Sequence, residues 1–404
     1  MASATEPLRR DMECLDGTQA ASSHVTNTAF SFTIVNADEK GLKRYDALCA
    51  KATSSPSQHP LWIRSWISAA KPDCLLAFIE RQRKPVFAFC LAIVREGPFR
   101  IARVMAGSHA NGNYFPASDE FLATASPELF ASFFAAIHRA RPEIDMLAFE
   151  RQSEAIGPHP NPLLRLPHRE SQNIALAVDL DGGFDAVLAR TSGKRKCKKH
   201  RSQIRKFDAA GGYRYFRGGN ESEIDRLLSA YFEMKARRFA VIGVRDVFAS
   251  AEIRTFFRIL FKAALAEEKP PFFLQGLEIG GKPRAVTGMS AAQDRLICEF
   301  GGISEDELTG ASPGDFLFFE NIKQACEEGF PFFDFSVGDE PYKRLWCNVE
   351  VRQFDVLVPL TLKGRAALAA WTAIGHAKRL IKNNPLAWQW ARRLRSVIVT
   401  KSRR

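Results

Sequence analysis

The 404-residue chain contains no run of about 18 uncharged apolar residues, the length a helix needs to cross a bilayer, so no membrane-spanning helix is expected. It also lacks any Cys-x-x-Cys pair. Its eight cysteines are scattered, and several sit inside apolar runs such as FAFCLAIV and LICEF, the pattern of buried reduced thiols. The eight histidines form no metal-spaced cluster, and no metal is expected. Residues 1–28 carry no apolar core of a secretory signal, so the expectation is a disordered leader on a cytoplasmic protein. Acidic residues are missing from Val356 onward, where eleven Lys/Arg stand without Asp or Glu and supply almost all of the net charge of +12. A high pI confined to one segment does not make the whole chain a nucleic-acid binder.

What is present suits a globular protein: 46% of residues are hydrophobic and 25% charged, over a length that fits two domains. Periodicity predicts a strand at 31–37, helices near 40–52 and 60–70, two apolar strands over 75–94 and a strand at 99–107. The polar loop SHANGNYFPASD follows, then a helix opened by Ser126 and Pro127, and a strand at 144–151. The second half repeats this order. It has a strand at 173–180, one long basic helix over about 184–209, a strand at 213–218 and helices near 222–239 and 250–268. Paired strands over 272–291, a strand at 295–304, a helix from Pro313 and the strand FPFFDFSV complete it. Lys84-Pro85 and Lys282-Pro283 mark the same hairpin in each half. Two similar α/β domains with mixed sheets are therefore expected, over 29–170 and 171–361, joined through the Pro-rich GPHPNPLLRLPH and followed by a basic helical tail over 362–404.

The chemistry-bearing residues cluster in the second half. In GASPGDF, Pro313 and Gly314 open a helix whose unpaired N–H groups and partial positive charge could receive a pyrophosphate. The local sequence favours the simpler reading, in which Ser312 caps that helix and nothing binds, and Asp315 already answers its dipole. Glu299 stands mid-strand in LICEFGG, where a carboxylate is costly unless it faces a cleft. Asp334 alternates with apolar neighbours and suits a structural pairing as well as a site. The strand FPFFDFSV delivers Asp339, Glu340, Tyr342 and Lys343 to its exit, as a solvated end or as one wall of a site. Arg237 and Arg238 divide between ion pairing and contact with an anionic substrate.

Strand, Ser-Pro-Gly loop, helix, then Asp334-Phe335-Ser336-x-Gly338 with Tyr342-Lys343 and Trp346 resembles the GNAT-fold acetyltransferases. With Lys235-x-Arg237-Arg238-Phe239, Arg201, Arg205 and the tail GRAALAAW…KRLIKNNPLAWQWARRLR, it resembles more narrowly the group named for the cellulose-biosynthesis protein CelD. At the fold level the likeness extends to Fem-type aminoacyl transferases, which carry two tandem GNAT-like domains. The resemblance implies acetyl-CoA or another acyl-CoA as co-substrate, with pantetheine along 296–304, including Gly302 and Ile303, and pyrophosphate on 309–316, including Ser312, Gly314 and Asp315. That loop departs from the usual one, which is richer in glycine and led by Gln or Arg; here only Gly310 and Gly314 remain.

Acyl transfer to an amine or hydroxyl needs a base, oxyanion donors and an acid for the thiolate. The resemblance places Tyr342 as the acid; Glu299, Asp339 and Glu340 are candidates for the base. Lys343, Arg237, Arg238 and, from the first half, Asn113 and Tyr114 are expected to meet the acceptor, a small molecule or an envelope glycan precursor. An aminoacyl-tRNA-dependent transferase and a non-catalytic scaffold at a membrane face are the alternatives. KRKCKKHRSQIRK reads as a solvated face, a contact for the 3′-phosphate of CoA or an anionic sugar, or a nucleic-acid contact; the last is disfavoured because no aromatic interrupts it. The tail either lies on an anionic membrane surface or packs back on the first domain. A monomer is expected.

Overall fold

The computed structural model describes residues 30–171 and 174–383, with side chains to 373. The expected leader and the later part of the tail lie outside these residues. The first half runs β1 (Ser31–Asn36), α1 (Glu39–Cys49), α2 (Pro60–Ala70), β2 (Asp73–Arg81), β3 (Lys84–Glu96), β4 (Phe99–Val104), α3 (Asp119–Thr124), α4 (Pro127–Ala140) and β5 (Met146–Ser153). A connector holds the short strands β6 (Ala155–Ile156), β7 (His159–Pro160) and β8 (Arg169–Glu170). The second half runs β9 (Ala175–Asp179), α5 (Gly183–Arg190), α6 (Gly193–Ala209), β10 (Tyr213–Arg217), α7 (Glu221–Ile242), α8 (Ala251–Ala264), β11 (Phe272–Ile279), β12 (Lys282–Ala291) and β13 (Arg295–Ile303). Then come α9 (Pro313–Glu327), β14 (Phe332–Val337), α10 (Pro341–Arg344), β15 (Val349–Val351), β16 (Gln353–Pro359) and α11 (Leu362–Asn383).

Local chemistry explains most of these elements. Asp38, Ser118, Ser126, Asn220 and Ser250 each accept a backbone N–H at a helix start. Gly243, at φ +66°, ends α7 in the left-handed conformation that glycine adopts without penalty. The strands β2, β3, β11 and β12 are continuous apolar runs because helices or loops cover both faces. One expectation fails here. The basic segment forms two helices, not one, because the chain turns at Thr191 and Ser192 and brings Gly193 so close that a Cβ there would lie 2.5 Å from the Leu188 carbonyl oxygen.

Two seven-stranded sheets result, in the orders β1-β2-β3-β4-β5-β16-β8 and β10-β11-β12-β13-β14-β9-β15. Each begins as an antiparallel meander of four strands, continues with one parallel pair spanned by a crossover helix, and adds an antiparallel sixth strand. The sixth strands are exchanged. β9 follows β5 in the chain yet pairs with β14, while β16 returns from the second half to pair with β5. Strand pairing thus crosses the expected division at 170/171, because β16, within the expected second domain, completes the first sheet. Both exchanges carry the same defect. Arg151 at φ +53° and Ser336 at φ +57° sit where the register against the sixth strand shifts, a β-bulge repeated in each unit.

The units share a hydrophobic core. Trp62 of α2 lies 4.9 Å from the Phe256 ring of α8 and 5.9 Å from Phe272. Tyr45, Trp62, Phe256 and Phe272 are all essentially buried within that one cluster. Truncating an aromatic of this kind costs about 3–5 kcal/mol, against about 0–1 kcal/mol for an exposed ion pair, so apolar packing dominates the docking. At the other side of the first sheet, α11 begins by packing Ala367, Leu368 and Trp371 on Ile101, Met146 and Ala148. No described helix is long and apolar enough to cross a membrane.

Candidate functional site

β13 is nine residues long, yet it pairs with β14 only through Arg295, Leu296 and Ile297. Its other edge stays paired with β12 as far as Ile303. From Cys298 onward the two parallel strands therefore diverge, and one row of β13 backbone groups faces a slit. Such groups need hydrogen-bond partners, which an extended amide-containing ligand can provide. Two glycines allow close packing beside it: a Cβ on Gly302 would come 2.9 Å from the Tyr231 ring of α7, and one on Gly314 would come 2.6 Å from Ile303.

α9 opens at the end of this slit. Ser312 sits at φ +55° and its hydroxyl makes no cap, so the expected serine cap is not formed. Instead its carbonyl accepts from the N–H groups of Asp315 and Phe316. The Gln203 side chain of α6 donates to the carbonyls of Ala311 and Ser312, both at 2.9 Å. Lys199 pairs with Asp315 at 3.1 Å, and Lys196 lies over the Trp346 ring. Lys194, Arg195, Lys198, Arg201 and Arg205 of the same helix make no ion pair among the described residues, so a mostly solvated basic face borders the α9 N-terminus.

Glu299 is the extra residue of a bulge on β13. Gly288 pairs with Phe300 and Met289 with Cys298, so Glu299 has no opposite number and its side chain is re-aimed. Ser290 donates to one carboxylate oxygen, and Asn111 donates to the other at 2.7 Å. Asn111 comes from the first unit, and its own carbonyl is held by Gln353 at the start of β16. The residue keeps some exposed area, but its carboxylate end is enclosed by these donors. Burial pushes its pKa up to about 7; the Ser290 and Asn111 hydrogen bonds and the Arg151 charge offset part of that rise, while Asp334 adds to it. The loop bearing Asn111 is itself pinned. Arg151 donates to the carbonyls of Ser108 and Ala110, and the His109 ring packs 5.1 Å from Phe248. Burial and Arg151 bring His109 down to about 4, so it is neutral near pH 7.

Tyr342 lies on α10, stacked 5.5 Å from Phe318, and 44% exposed. Its hydroxyl has no hydrogen-bond partner among the described residues, and burial of its inner part holds its pKa above the ordinary tyrosine value. Other expected residues are placed elsewhere. Asn113 and Tyr114 are fully buried in the first unit, where Asn113 accepts from Ser57 and donates to the Glu150 carbonyl, and Tyr114 donates to the Pro160 carbonyl. Lys343 is buried too, donating to the carbonyls of Ser336 and Val337 and pairing with Glu340 at 3.0 Å; it closes the strand exit. Arg344 grips Asp339 with two nitrogens, at 2.5 and 3.0 Å. Arg237 pairs with Glu233 and Arg238 with Glu305, both on the surface. Asp334 accepts from the Ser336 N–H at 2.7 Å and pairs with Arg295, which supports the bulge. Asn111, which meets Glu299, was not singled out by the sequence.

Residues 194–344 match the family model described as an acetyltransferase (GNAT) domain. Among solved structures, FemX superposes with a TM-score of 0.55 at 10% identity, covering 80% of this chain and 96% of that one. The DUF2156 domain assigned to a lysylphosphatidylglycerol synthetase from Agrobacterium fabrum gives 0.50 at 13% identity, covering 83% and 96%. A conserved protein of unknown function from Bacteroides thetaiotaomicron gives 0.51 at 12%, covering 78% and 97%. No curated protein matches the chain. The fold is that of two GNAT-like units in tandem, and the second unit contains the matched acetyltransferase segment.

Proposed function

We propose that this chain is an acyltransferase that moves an acyl group from acyl-CoA to an amine or hydroxyl, with the reaction in the second unit. The observation that carries the proposal is the slit between β13 and β14, with a carboxylate of pKa about 7 on the β13 bulge beside it, held by Ser290 and Asn111. The residues present fit the donor. The β13 edge beyond Glu299, whose own carbonyl already accepts from Asn111, has no β14 partner and suits pantetheine amides along Gly302 and Ile303, and the uncapped α9 start with Ser312 and Gly314 suits a pyrophosphate. Asp315 is neutralised by Lys199 and leaves the free cations of α6 nearby to face phosphate charge.

An acyl-CoA bound there supplies an acyl carbon with a thiolate leaving group. Glu299 takes the proton from the acceptor nucleophile, since a carboxylate poised near neutrality is an effective base. Tyr342, kept protonated, gives a proton to the departing sulfur. Lys343 and Asp339 fix the strand exit that presents Tyr342. An envelope polysaccharide precursor as acceptor rests on the CelD-type resemblance, and an anionic membrane as a surface for the tail rests on the tail's basic amphipathic sequence.

Calorimetric titration with acetyl-CoA tests the proposal directly. Saturable binding that free CoA competes away is the expected result. Absence of acyl-CoA binding together with salt-sensitive binding of charged tRNA would overturn it in favour of an aminoacyl-tRNA-dependent transferase.

A further inference from the structure

The α7–α8 side of the slit holds two polar groups that the reaction above does not use. Lys235 makes no ion pair and no hydrogen bond among the described residues; its ammonium lies 5.9 Å from the Tyr231 ring centre and 5.5 Å from that of Phe239. Tyr231, one helical turn earlier, is fully buried, and its hydroxyl has no partner. An unmade hydrogen bond at a buried hydroxyl costs about 1–3 kcal/mol. Burial also lowers the Lys235 pKa from its ordinary value. The fold thus sets a buried unpartnered hydroxyl and a half-buried ammonium without an ion pair one helical turn apart.

That place adjoins the proposed chemistry. The Tyr231 ring lies 4.3 Å from Phe300 and against Gly302, the β13 residues just beyond the Glu299 bulge. Cys298 is within electrostatic reach of Lys235, Tyr231, Tyr342 and Glu299 alike. α9 packs on the opposite face of the sheet, where Thr287 of β12 meets Asn321. The donor's proposed phosphate end and Lys235 therefore lie on opposite faces. Asp246 and Glu340 attract Lys235 and Arg238 repels it, all without direct contact.

We propose that Lys235 and the Tyr231 hydroxyl hold a carboxylate of the acceptor, so that the acceptor class is an amino acid or another carboxylate-bearing amine or alcohol. One ammonium and one neutral donor match the two oxygens and single charge of a carboxylate. A phosphate dianion would need more donors than these two, and would meet twice the repulsion from Asp246 and Glu340. The assignment rests on the acyltransferase reading only for the position of the acceptor beside Glu299.

The test uses the full chain, treated with an amine-acetylating reagent and read at Lys235 by peptide mass spectrometry. The probes are glycine, L-alanine and L-glutamate against their amides, and glucosamine 6-phosphate against glucosamine. Carboxylates should slow Lys235 labelling by about tenfold, the worth of a charge-assisted hydrogen bond, and amides should not. By calorimetry, Lys235→Met should abolish carboxylate binding and Tyr231→Phe weaken it, while acetyl-CoA affinity stays unchanged and shows that both variants fold. Equal protection by amides, protection by the sugar phosphate alone, or protection by no probe would overturn the proposal. Carboxylate protection in a wild-type chain that binds no acyl-CoA would support the site and sink the acyltransferase reading instead.

Discussion

The two units begin from the same strand divergence and end differently. In the first, β4 and β5 also pair at only three positions, Ile101 to Arg103 with Met146 to Ala148. There the gap is filled. Asn113 bridges to Gln152, donating its N–H to the Arg151 carbonyl and accepting from the Ser153 N–H, and Ala117 bridges to Thr53 and Phe87. The crossover helix is closed as well: Ser126 caps α4, where Ser312 leaves α9 uncapped. A filled slit gives a rigid wall, and an open slit gives a site. The filling loop does more than fill, since its Asn111 reaches across to Glu299. One unit thereby supports a side chain of the other's candidate site.

The largest expected break in this comparison comes from Glu299→Gln, which should lower turnover by about 10²–10⁴-fold with acetyl-CoA affinity intact, as loss of a general base does. In the wild-type chain the base works only when deprotonated. Activity should therefore rise tenfold per pH unit below about 7 and level off above it. Tyr342→Phe should cost about 10²-fold in turnover, again without weakening CoA binding; unchanged turnover would remove Tyr342 from the acid role. Asn111→Ala deletes a donor that stabilises the Glu299 carboxylate, so the rising limb of the pH profile should move to higher pH. Least affected should be turnover in Asn113→Ala. That variant unpairs Ser57 and the Glu150 carbonyl and should lose about 1–3 kcal/mol of stability by denaturant melting, with activity per folded molecule retained.

Legibility followed locality. Apolar runs bounded by turns gave most strands and helices, and a carboxylate inside LICEFGG marked Glu299 because its burial demands partners. The exchanged sixth strands were not legible, since periodicity carries no information on which sheet a strand joins. Within SHANGNYFPASD, Asn111 and Asn113 are indistinguishable in sequence; Gln353, Arg151 and Ser57 decide which turns outward and which plugs the gap. Lys343 looked like a surface cation at a strand exit. The free carbonyls of the Ser336 bulge draw it inside, and a bulge leaves no sequence signature when its left-handed residue is serine rather than glycine.

The exchanged strand also sets a timetable for the nascent chain. Gln353 pairs with Ser153, about 200 residues earlier, so at ribosomal rates of about 5–20 residues per second the edge of β5 waits roughly 10–40 s for its neighbour. β9 is made before β14 and joins it as soon as that strand emerges. The later-translated unit thus has its exchanged strand in hand first, while the earlier one displays a bare strand edge, the usual nucleus for misassociation. Chaperone demand during synthesis should be concentrated on the half that carries no proposed chemistry.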